Sequence, residues 1–173
     1  TACFVDYVHT NSMEYDTDGN ILISNRNIDE VLKIDRVTGD VIWRMGGSQN
    51  EFTLVGDTQW FTYQHCARRT DTGTITIFDN GSFSSPQESR VVEYQVDEVN
   101  KVATLVWEYR HVPAIYANSN GTAQRLPNGN TLISWGTNGR VTEVRNDGTK
   151  AFDMDFVQGA DRTYAAWRFP WEG

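Results

Sequence analysis

The stretch DTDGNILISNRNIDEVLKIDRVTGDVIWRM, residues 16–45, carries the pattern that decides the fold. A glycine turn opens a strand whose apolar residues alternate at Ile21 and Ile23. A second strand follows a short polar link, and a turn rich in Asp and Gly leads to a third strand containing Trp43. Alternation with a period of two is typical of half-buried β-strands. The stretch therefore predicts a meander of short antiparallel strands.

The same pattern recurs twice later in the chain. Residues 71–109 contain DTGTITIFDN and SRVVEYQVDEVNKVATLVWEY, and residues 127–156 read PNGNTLISWGTNGRVTEVRNDGTKAFDMDF. The opening glycines, Gly19, Gly73 and Gly129, are 54 and 56 residues apart. Another candidate strand precedes each glycine. Four short strands in a unit of roughly 50 residues match the size of a β-propeller blade.

The predicted fold class is all-β, with propeller blades of four antiparallel strands and about three blades in this chain. We assign blade-like repeats to about 7–47, 60–111 and 120–160, and a closing tail to 161–173, within one domain of residues 1–173. The alternative is a β-sandwich of similar hairpins, but sandwiches rarely repeat this regularly. Propellers close with roughly four to eight blades. The chain is therefore expected to be part of a longer protein, or to be completed by a second chain in a homodimer, in which two three-bladed halves would give six blades.

Composition and charge exclude several classes of partner. The net charge of -8 and the pI near 4.8 leave no basic surface that would neutralise phosphates, so no nucleic acid partner is predicted. No window approaches about 18 consecutive apolar residues, so no membrane span is predicted. The two cysteines, Cys3 and Cys66, are compatible with one disulfide or with two thiols.

Two of the three histidines occupy nearly the same place in adjacent units. His9 lies ten residues before Gly19, and His65 lies eight residues before Gly73, whereas the third unit has Gly121 at this position. Because the innermost strand of each blade lines the central channel, equivalent positions of successive blades converge near the axis. This favours a shared functional site, and the alternatives are strand-end caps or groups that bind structural water.

Amide side chains accompany the two histidines. Asn11 follows His9 at i+2, so the two are expected to share a strand face. Gln64 precedes His65 and is expected to point to the opposite face. We include Asn11 and Gln64 among the candidate substrate-binding residues.

Further polar candidates lie at the ends of matching strands. Arg26 ends a strand in the first unit, and Asn80 ends the matching strand in the second, although Asn80 also belongs to an Asp-Asn-Gly turn signal. Arg90 opens the following strand, where its alternative role is to pair with a surface carboxylate. His111 precedes a loop and is expected to be exposed, and it is the last of the candidate substrate-binding residues.

Other reaction centres fit the sequence poorly. His9, His65 and Cys66 would form only a weak zinc set, and no metal or cofactor is predicted. A Cys66 nucleophile with His65 as its base is unattractive, because adjacent strand residues face opposite ways. No Gly-rich phosphate loop, G-x-S-x-G elbow or H-E-x-x-H motif occurs.

Several motifs resemble the arylsulfotransferase family in its broader branch. They are HTNSMEYDTDGNILISNRNIDEVLKIDRVTGDVIWRMGG (9–47), QHCARRTDTGTITIFDNG (64–81), SRVVEYQVDE (89–98), QRLPNGNTLISWG (124–136) and WRFPW (167–171). The likeness runs from about residue 7 to 172, and the order of the motifs also matches. It implies a six-bladed propeller of which this chain covers the later part, in a periplasmic or secreted protein.

The resemblance implies transfer of a sulfuryl group from an aryl sulfate to a phenol, without a nucleotide donor, through a sulfated histidine. By motif, His9 and His65 match the family's active-site histidines, and Arg90 is assigned to the arginine that binds the oxyanion. His, Asn and Arg side chains can all stabilise the charge that develops on the sulfuryl and leaving oxygens.

Two departures from the family pattern keep a second class of function open. Residues 121–173 contain no histidine, and Ala67 stands where the family has an amide. The alternative is a catalytically inactive propeller that binds a glycan or another small ligand, or that serves as an assembly scaffold.

Overall fold

The computed structural model of the chain describes residues 5–156 and 162–170, and these form three β-sheets. The strands of the first sheet, in spatial order, are β1 (Thr10–Tyr15), β2 (Ile21–Asn25), β3 (Glu30–Ile34) and β4 (Val41–Gly46). Every neighbouring pair in this sheet is antiparallel. The quoted stretch 16–45 therefore forms the turn and strands that its alternation predicts.

The second sheet has five strands. Its antiparallel meander consists of β6 (His65–Arg69), β7 (Ile75–Asp79), β8 (Arg90–Asp97) and β9 (Val102–Arg110). The short strand β5 (Thr53–Val55) pairs in parallel with the outer strand β9. The sequence pattern does not predict β5, because three residues are too few to show a period.

The third sheet is again a four-stranded antiparallel meander. Its strands are β10 (Thr122–Arg125), β11 (Thr131–Ser134), β12 (Arg140–Val144) and β13 (Lys150–Asp155). In the described residues, helix is limited to two 3₁₀ turns, Arg26–Ile28 and Gly136–Asn138. The all-β prediction with blades of four antiparallel strands is confirmed. No helix within the described ranges is long and apolar enough to cross a bilayer.

The sheets pack face to face through apolar cores. Trp43 of the first sheet is fully buried in one cluster with Ile77 of the second. Phe78, the next residue of the second sheet, points the opposite way and packs edge-on against Trp135 at the end of β11, with ring centroids 5.8 Å apart. Successive side chains of β7 thus join the second sheet to both neighbours, as the pleat of a strand requires.

A buried ionic cluster also joins the first two sheets. Lys33 of β3 pairs with Asp16 at 3.1 Å and with Glu98 at 2.9 Å, and Arg69 of β6 pairs with Asp16 at 2.7 Å. Burial alone would raise the pKa of Asp16, but hydrogen bonds from Arg69 and Lys33 hold it well below its usual range. The cluster fixes the two sheets to each other at the end where their glycine turns lie.

Residues 162–170 lie along the free edge of β10. Thr122 Oγ1 accepts a hydrogen bond from Ala166 N–H at 3.2 Å, and the Gln124 side chain is bonded to the backbone N–H and C=O of Arg168. This segment, which we call the edge segment, makes these contacts without being a regular strand. It brings Tyr164 and Trp167 to the first strands of the sheets.

Candidate functional site

The candidate site lies where the first strands of the three sheets begin. β6 contacts both β1 and β10, so these three strands are neighbours. The chain enters β1 and β6 at His9 and Tyr63, and it leaves β2 and β7 at Arg26 and Asn80, all at one end of the sheets. The antiparallel meander places the glycine turns at the opposite end.

His65 is held by hydrogen bonds on both ring nitrogens. Its Nδ1 lies 2.7 Å from Asn80 Oδ1 and 3.2 Å from the carbonyl oxygen of Tyr63, and its Nε2 lies 3.2 Å from the backbone N–H of Asn120. The Asn80 amide is itself oriented, because its Nδ2 donates to the carbonyl oxygens of Ala117 and Asn120 at 2.7 and 3.0 Å. Asn80 Oδ1 therefore accepts from Nδ1–H, and the lone pair of His65 is on Nε2.

His65 is neutral at physiological pH. Its side chain is only 5% exposed, and burial lowers its pKa to about 4. The hydrogen bond to Asn80 opposes this shift, while the nearby positive charge of Arg26 adds to it. A neutral ring with a fixed tautomer has the state that a nitrogen nucleophile needs.

His9 lies beside His65, as the sequence predicts, but not at the same strand position. The ring centroids are 6.4 Å apart, with planes inclined at 68°. His9 precedes β1 in a left-handed conformation (φ 52°), so strand alternation does not relate it to Asn11. Counted from Gly19 and Gly73, Asn11 is the residue equivalent to His65.

A carboxylate accompanies His9. Nδ1 of His9 is bonded to the carboxylate of Asp6, which leaves Nε2 as the ring nitrogen that can face a ligand. The His9 side chain is 37% exposed, in contrast to buried His65. The pair therefore combines a buried, neutral ring with an accessible ring that a carboxylate orients.

The two candidate amides on β1 and before β6 have different surroundings. Asn11 Nδ2 donates to the carbonyl oxygen of Gln64 at 2.7 Å, and Asn11 Oδ1 is buried without a hydrogen-bond partner among the described residues. The Gln64 side chain is completely buried and donates to Ser24 Oγ and to the carbonyl oxygens of Asn25 and Glu30. Gln64 therefore joins the first two sheets.

Arg26 has no acidic partner among the residues that the structure describes. Its guanidinium lies over the ring of Tyr63, 4.4 Å from the centroid. Its hydrogen bonds, to Asn27 Oδ1 and the carbonyl oxygen of Asn118, are both long at 3.4 Å. Within residues 5–156 and 162–170, no carboxylate forms an ion pair with it. Its positive charge is therefore available to an anion.

The polar contacts of the Arg90 side chain are with the second sheet and with the segment between β5 and β6. This side chain is 2% exposed, and its Nε binds Asp79 at 2.9 Å. The two Nη atoms bind Asp57, Glu108 and the carbonyl oxygen of Gln59 at 3.0–3.1 Å. Its five N–H groups thus all face oxygens of the protein. The role of Arg90 in binding an oxyanion stays a prediction, and it would require one of these bonds to be given up.

His111 is buried, so the expectation that it is exposed was wrong. Its Nδ1 donates to the carbonyl oxygen of Pro113 at 2.7 Å, and its Nε2 lies 2.7 Å from Nζ of Lys150. The ring packs edge-on against Trp135, with centroids 5.5 Å apart. These contacts place His111 against the third sheet, and both of its nitrogens are used there.

Cys66 does not form a reactive pair with His65. The residue has φ 54° and is buried, its Sγ lies 3.9 Å from the carbonyl oxygen of Ala123, and burial raises the pKa of its thiol. Cys3, the possible disulfide partner, lies outside the described residues. In the part of the chain that the structure describes, no three His, Cys, Asp or Glu side chains converge as a metal site.

Two clefts open at this end of the sheets. A small one of about 130 Å³ is lined by His65, Asn11 and Gly121, and by Tyr164 and Trp167 of the edge segment. A larger one of about 400 Å³ contains Arg26. The small cleft thus presents the neutral ring of His65, and the larger one presents Arg26, which has no carboxylate partner in the described ranges.

The sequence profile of the family described as Arylsulfotransferase (ASST) matches residues 3–157. The chain belongs to the arylsulfotransferase family. Arylsulfate sulfotransferase AssT of Escherichia coli O6:H1 (strain CFT073) is 32% identical over 138 residues, which cover 60% of this chain and 23% of that protein. The AssT of Lelliottia amnigena is 43% identical over 58 residues, covering 28% of this chain and 10% of the relative. The chain therefore spans less than a quarter of these relatives' length.

Solved β-propellers share the fold. Selenomethionine-substituted virginiamycin B lyase from Staphylococcus aureus aligns with a TM-score of 0.55 at 9% identity, over 88% of this chain and 43% of that one. The β-propeller domain of Cps50 (Swd1) from Myceliophteria thermophila aligns with a TM-score of 0.59 at 12% identity, over 92% and 44%. At such identities the likeness concerns the fold alone, and it confirms the propeller prediction.

This arylsulfotransferase-family chain thus brings some of the predicted site residues together and separates others. The residues that meet at one end of the sheets are His9, Asn11, Arg26, His65 and Asn80. The side chains of Gln64, Arg90 and His111 are bonded within or between sheets. Sequence reasoning missed Asp6 and the backbone N–H of Asn120. An acid three residues before His9 is a weak signal, and a backbone donor gives none.

Proposed function

We propose that this chain carries the reaction site of an aryl sulfotransferase, in which a sulfuryl group passes between phenolic compounds through His65. Membership of the arylsulfotransferase family supports the class of reaction. The observation that carries the proposal is the buried, neutral His65 whose Nδ1–H is held by Asn80. Because the tautomer is fixed, the lone pair on Nε2 needs no deprotonation before it reacts.

In the first half-reaction, Nε2 of His65 attacks the sulfur of the aryl sulfate. An N–S bond forms, and the S–O bond to the ring breaks with its electron pair going to the leaving phenolate. The imidazole then carries both Nδ1–H and the sulfuryl group, so it is cationic. Asn80 Oδ1, which accepts from Nδ1–H at 2.7 Å, stabilises this charge. In the second half-reaction, the oxygen of an acceptor phenol attacks sulfur and gives up its proton to a base, while the N–S bond breaks and its electron pair returns to Nε2, which restores the neutral ring.

The backbone N–H of Asn120 has to leave Nε2 before the attack. In the ligand-free chain this hydrogen bond is 3.2 Å long, so it is one of the weaker bonds of the site. Once the N–S bond has formed, the same N–H lies within reach of a sulfuryl oxygen. A donor at that place stabilises developing negative charge in the manner of an oxyanion hole.

His9 is the residue for proton transfer. Its carboxylate partner Asp6 binds Nδ1, so Nε2 can protonate the leaving phenolate and later accept the proton of the acceptor phenol. The ring is close enough to His65, at 6.4 Å between centroids, for the two to flank one sulfuryl group. The uncompensated charge of Arg26 attracts the anionic donor.

The test is to incubate the protein with a chromogenic aryl sulfate and a phenol acceptor. We expect His65→Ala to abolish release of the chromophore, and His111→Gln, the matched control at the histidine that follows β9, to retain it. Incubation without acceptor, followed by peptide mass analysis, should find one SO₃ group on His65. A sulfated His9, or full activity of His65→Ala, would refute the assignment.

A binding function without turnover is the second candidate. The observation in its favour is that both nitrogens of His65 are hydrogen bonded to other groups of the protein. Binding of an aryl sulfate or a glycan without release of product would support it. If neither binding nor turnover is found, the remaining function is that of an assembly scaffold.

A further inference from the structure

The cleft of about 400 Å³ beside Arg26 is lined by aromatic side chains. Tyr63 and Phe83 meet edge to face, with ring centroids 5.0 Å apart. Tyr116 completes the wall, and its hydroxyl is bonded to Ser82 Oγ at 3.3 Å. The volume falls in the usual range for small-molecule sites, and aromatic walls favour flat apolar groups.

Phe83 is 67% exposed, yet its position is fixed by the backbone. Its N–H donates to Thr62 Oγ1 at 3.2 Å. Two residues earlier, the N–H of Gly81 donates to the carbonyl oxygen of Thr62 and to Asp79 Oδ1. The loop that carries the ring is therefore tied to the segment before β6, and the exposed ring is held beside Tyr63 before any ligand binds.

The charge of this cleft differs from that of another cleft, which has a volume of about 630 Å³ and contains the turns at the opposite end of the sheets. There, Arg68 is paired with Glu14 and Arg125 with Glu93. In the cleft beside Phe83, Arg26 is the cation, and it has no carboxylate partner in the described ranges. An anion would therefore find a free guanidinium here, next to aromatic rings.

We infer that the cleft lined by Arg26, Tyr63, Phe83 and Tyr116 binds the aromatic ring of the substrate, with the anionic substituent beside Arg26. The cleft adjoins His65 on both sides of its ring: the carbonyl oxygen of Tyr63 is bonded to Nδ1, and the lining residue Ser119 directly precedes Asn120, whose backbone N–H is bonded to Nε2. This inference deepens the proposed function and rests on it for one point only, that the anion is a sulfate ester. In this inference, contacts with the rings of Tyr63 and Phe83 make the site prefer aryl sulfates to alkyl sulfates.

The test uses 2-naphthalenesulfonate, whose sulfur is bonded to carbon and cannot be transferred. Calorimetry on the protein should show saturable binding, and methanesulfonate, which has the anion without the ring, should bind more weakly. Loss of one edge-to-face partner in Phe83→Ser should weaken binding about two- to tenfold. Loss of the charged donor in Arg26→Gln should weaken it about tenfold or more.

Phe169→Ser is the matched control, because Phe169 is an exposed phenylalanine (74%) outside the cleft, and it should bind the probe as the wild type does. Equal affinity of Phe83→Ser and Arg26→Gln with the wild type would overturn the inference, as would absence of binding to the wild type. Binding that depends on these residues, in a protein without turnover, would uphold the inference and refute the proposed transfer reaction. Turnover that is insensitive to Phe83→Ser, with unchanged probe binding, would refute only the inference.

Discussion

Acidification is expected to destabilise the protein through His65. Burial lowers the pKa of this histidine to about 4, whereas an unfolded histidine has a pKa of about 6.5. In the pH range between these two values, the unfolded chain binds a proton that the folded chain does not. The stability that belongs to neutral His65 is therefore fully present above about pH 6.5 and is lost as the pH falls toward about 4.

The size of the effect follows from the two pKa values. The full difference corresponds to about 3 kcal/mol of unfolding free energy, and about 2 kcal/mol of this is lost between about pH 7 and about pH 5. Because His65 is only 5% exposed, solvent screens this effect little. The attack proposed for Nε2 of His65 needs the same neutral ring, so under that proposal the stability and the activity should titrate together.

The assay is urea unfolding of the wild type and of His65→Gln at the two pH values. Carboxylates titrate in both proteins, so the comparison isolates the histidine, and the wild type should lose about 2 kcal/mol more than the variant. Equal losses in wild type and His65→Gln, or an imidazole pKa near 6.5 by NMR, would refute the reasoning.

Three further predictions concern the frame around the site. Arg90→Met leaves buried carboxylates without a cation, so it should lower the unfolding free energy by about 3–5 kcal/mol in a urea titration. The control Arg110→Met removes a partly exposed ion pair and should lower it by at most about 1 kcal/mol in the same assay. Gly121→Ala places a Cβ 2.4 Å from the Phe78 ring at φ 110°, so a loss of about 1–3 kcal/mol or more is expected, and an unchanged midpoint would contradict it. The buried thiol of Cys66 should be alkylated only in denaturant, as peptide mass analysis would report, and rapid labelling of the native protein would show that this region opens.

The blades were predictable because their signals are local. Alternating residues such as Ile21 and Ile23 need only a period of two, and the glycines of the tight turns mark where each strand reverses. The strand β5 was not predictable, because its parallel partner β9 is about fifty residues away in the chain and β5 itself is three residues long. Burial of His111 was missed for the same reason, since Lys150 and Trp135 belong to the next sheet.

The site was predictable in its residue types and not in its bonds. The repeat placed His9 near His65, and the matching strand ends placed Arg26 and Asn80 with them. No pattern in the sequence shows that Arg26 lacks a carboxylate or that Arg90 has several, because both facts depend on which acids the fold brings within reach. The left-handed conformation of His9 is likewise set by contacts made after the sheets assemble.

The edge segment, residues 162–170, borders the small cleft but belongs to none of the three sheets. It is attached to β10 mainly through side chains, those of Thr122 and Gln124, and it contributes Tyr164 and Trp167 to the opening in front of His65. Substitutions in this segment would resize the entrance without altering a single strand pair. The size of this opening can therefore change while the pairing of the blade strands stays the same.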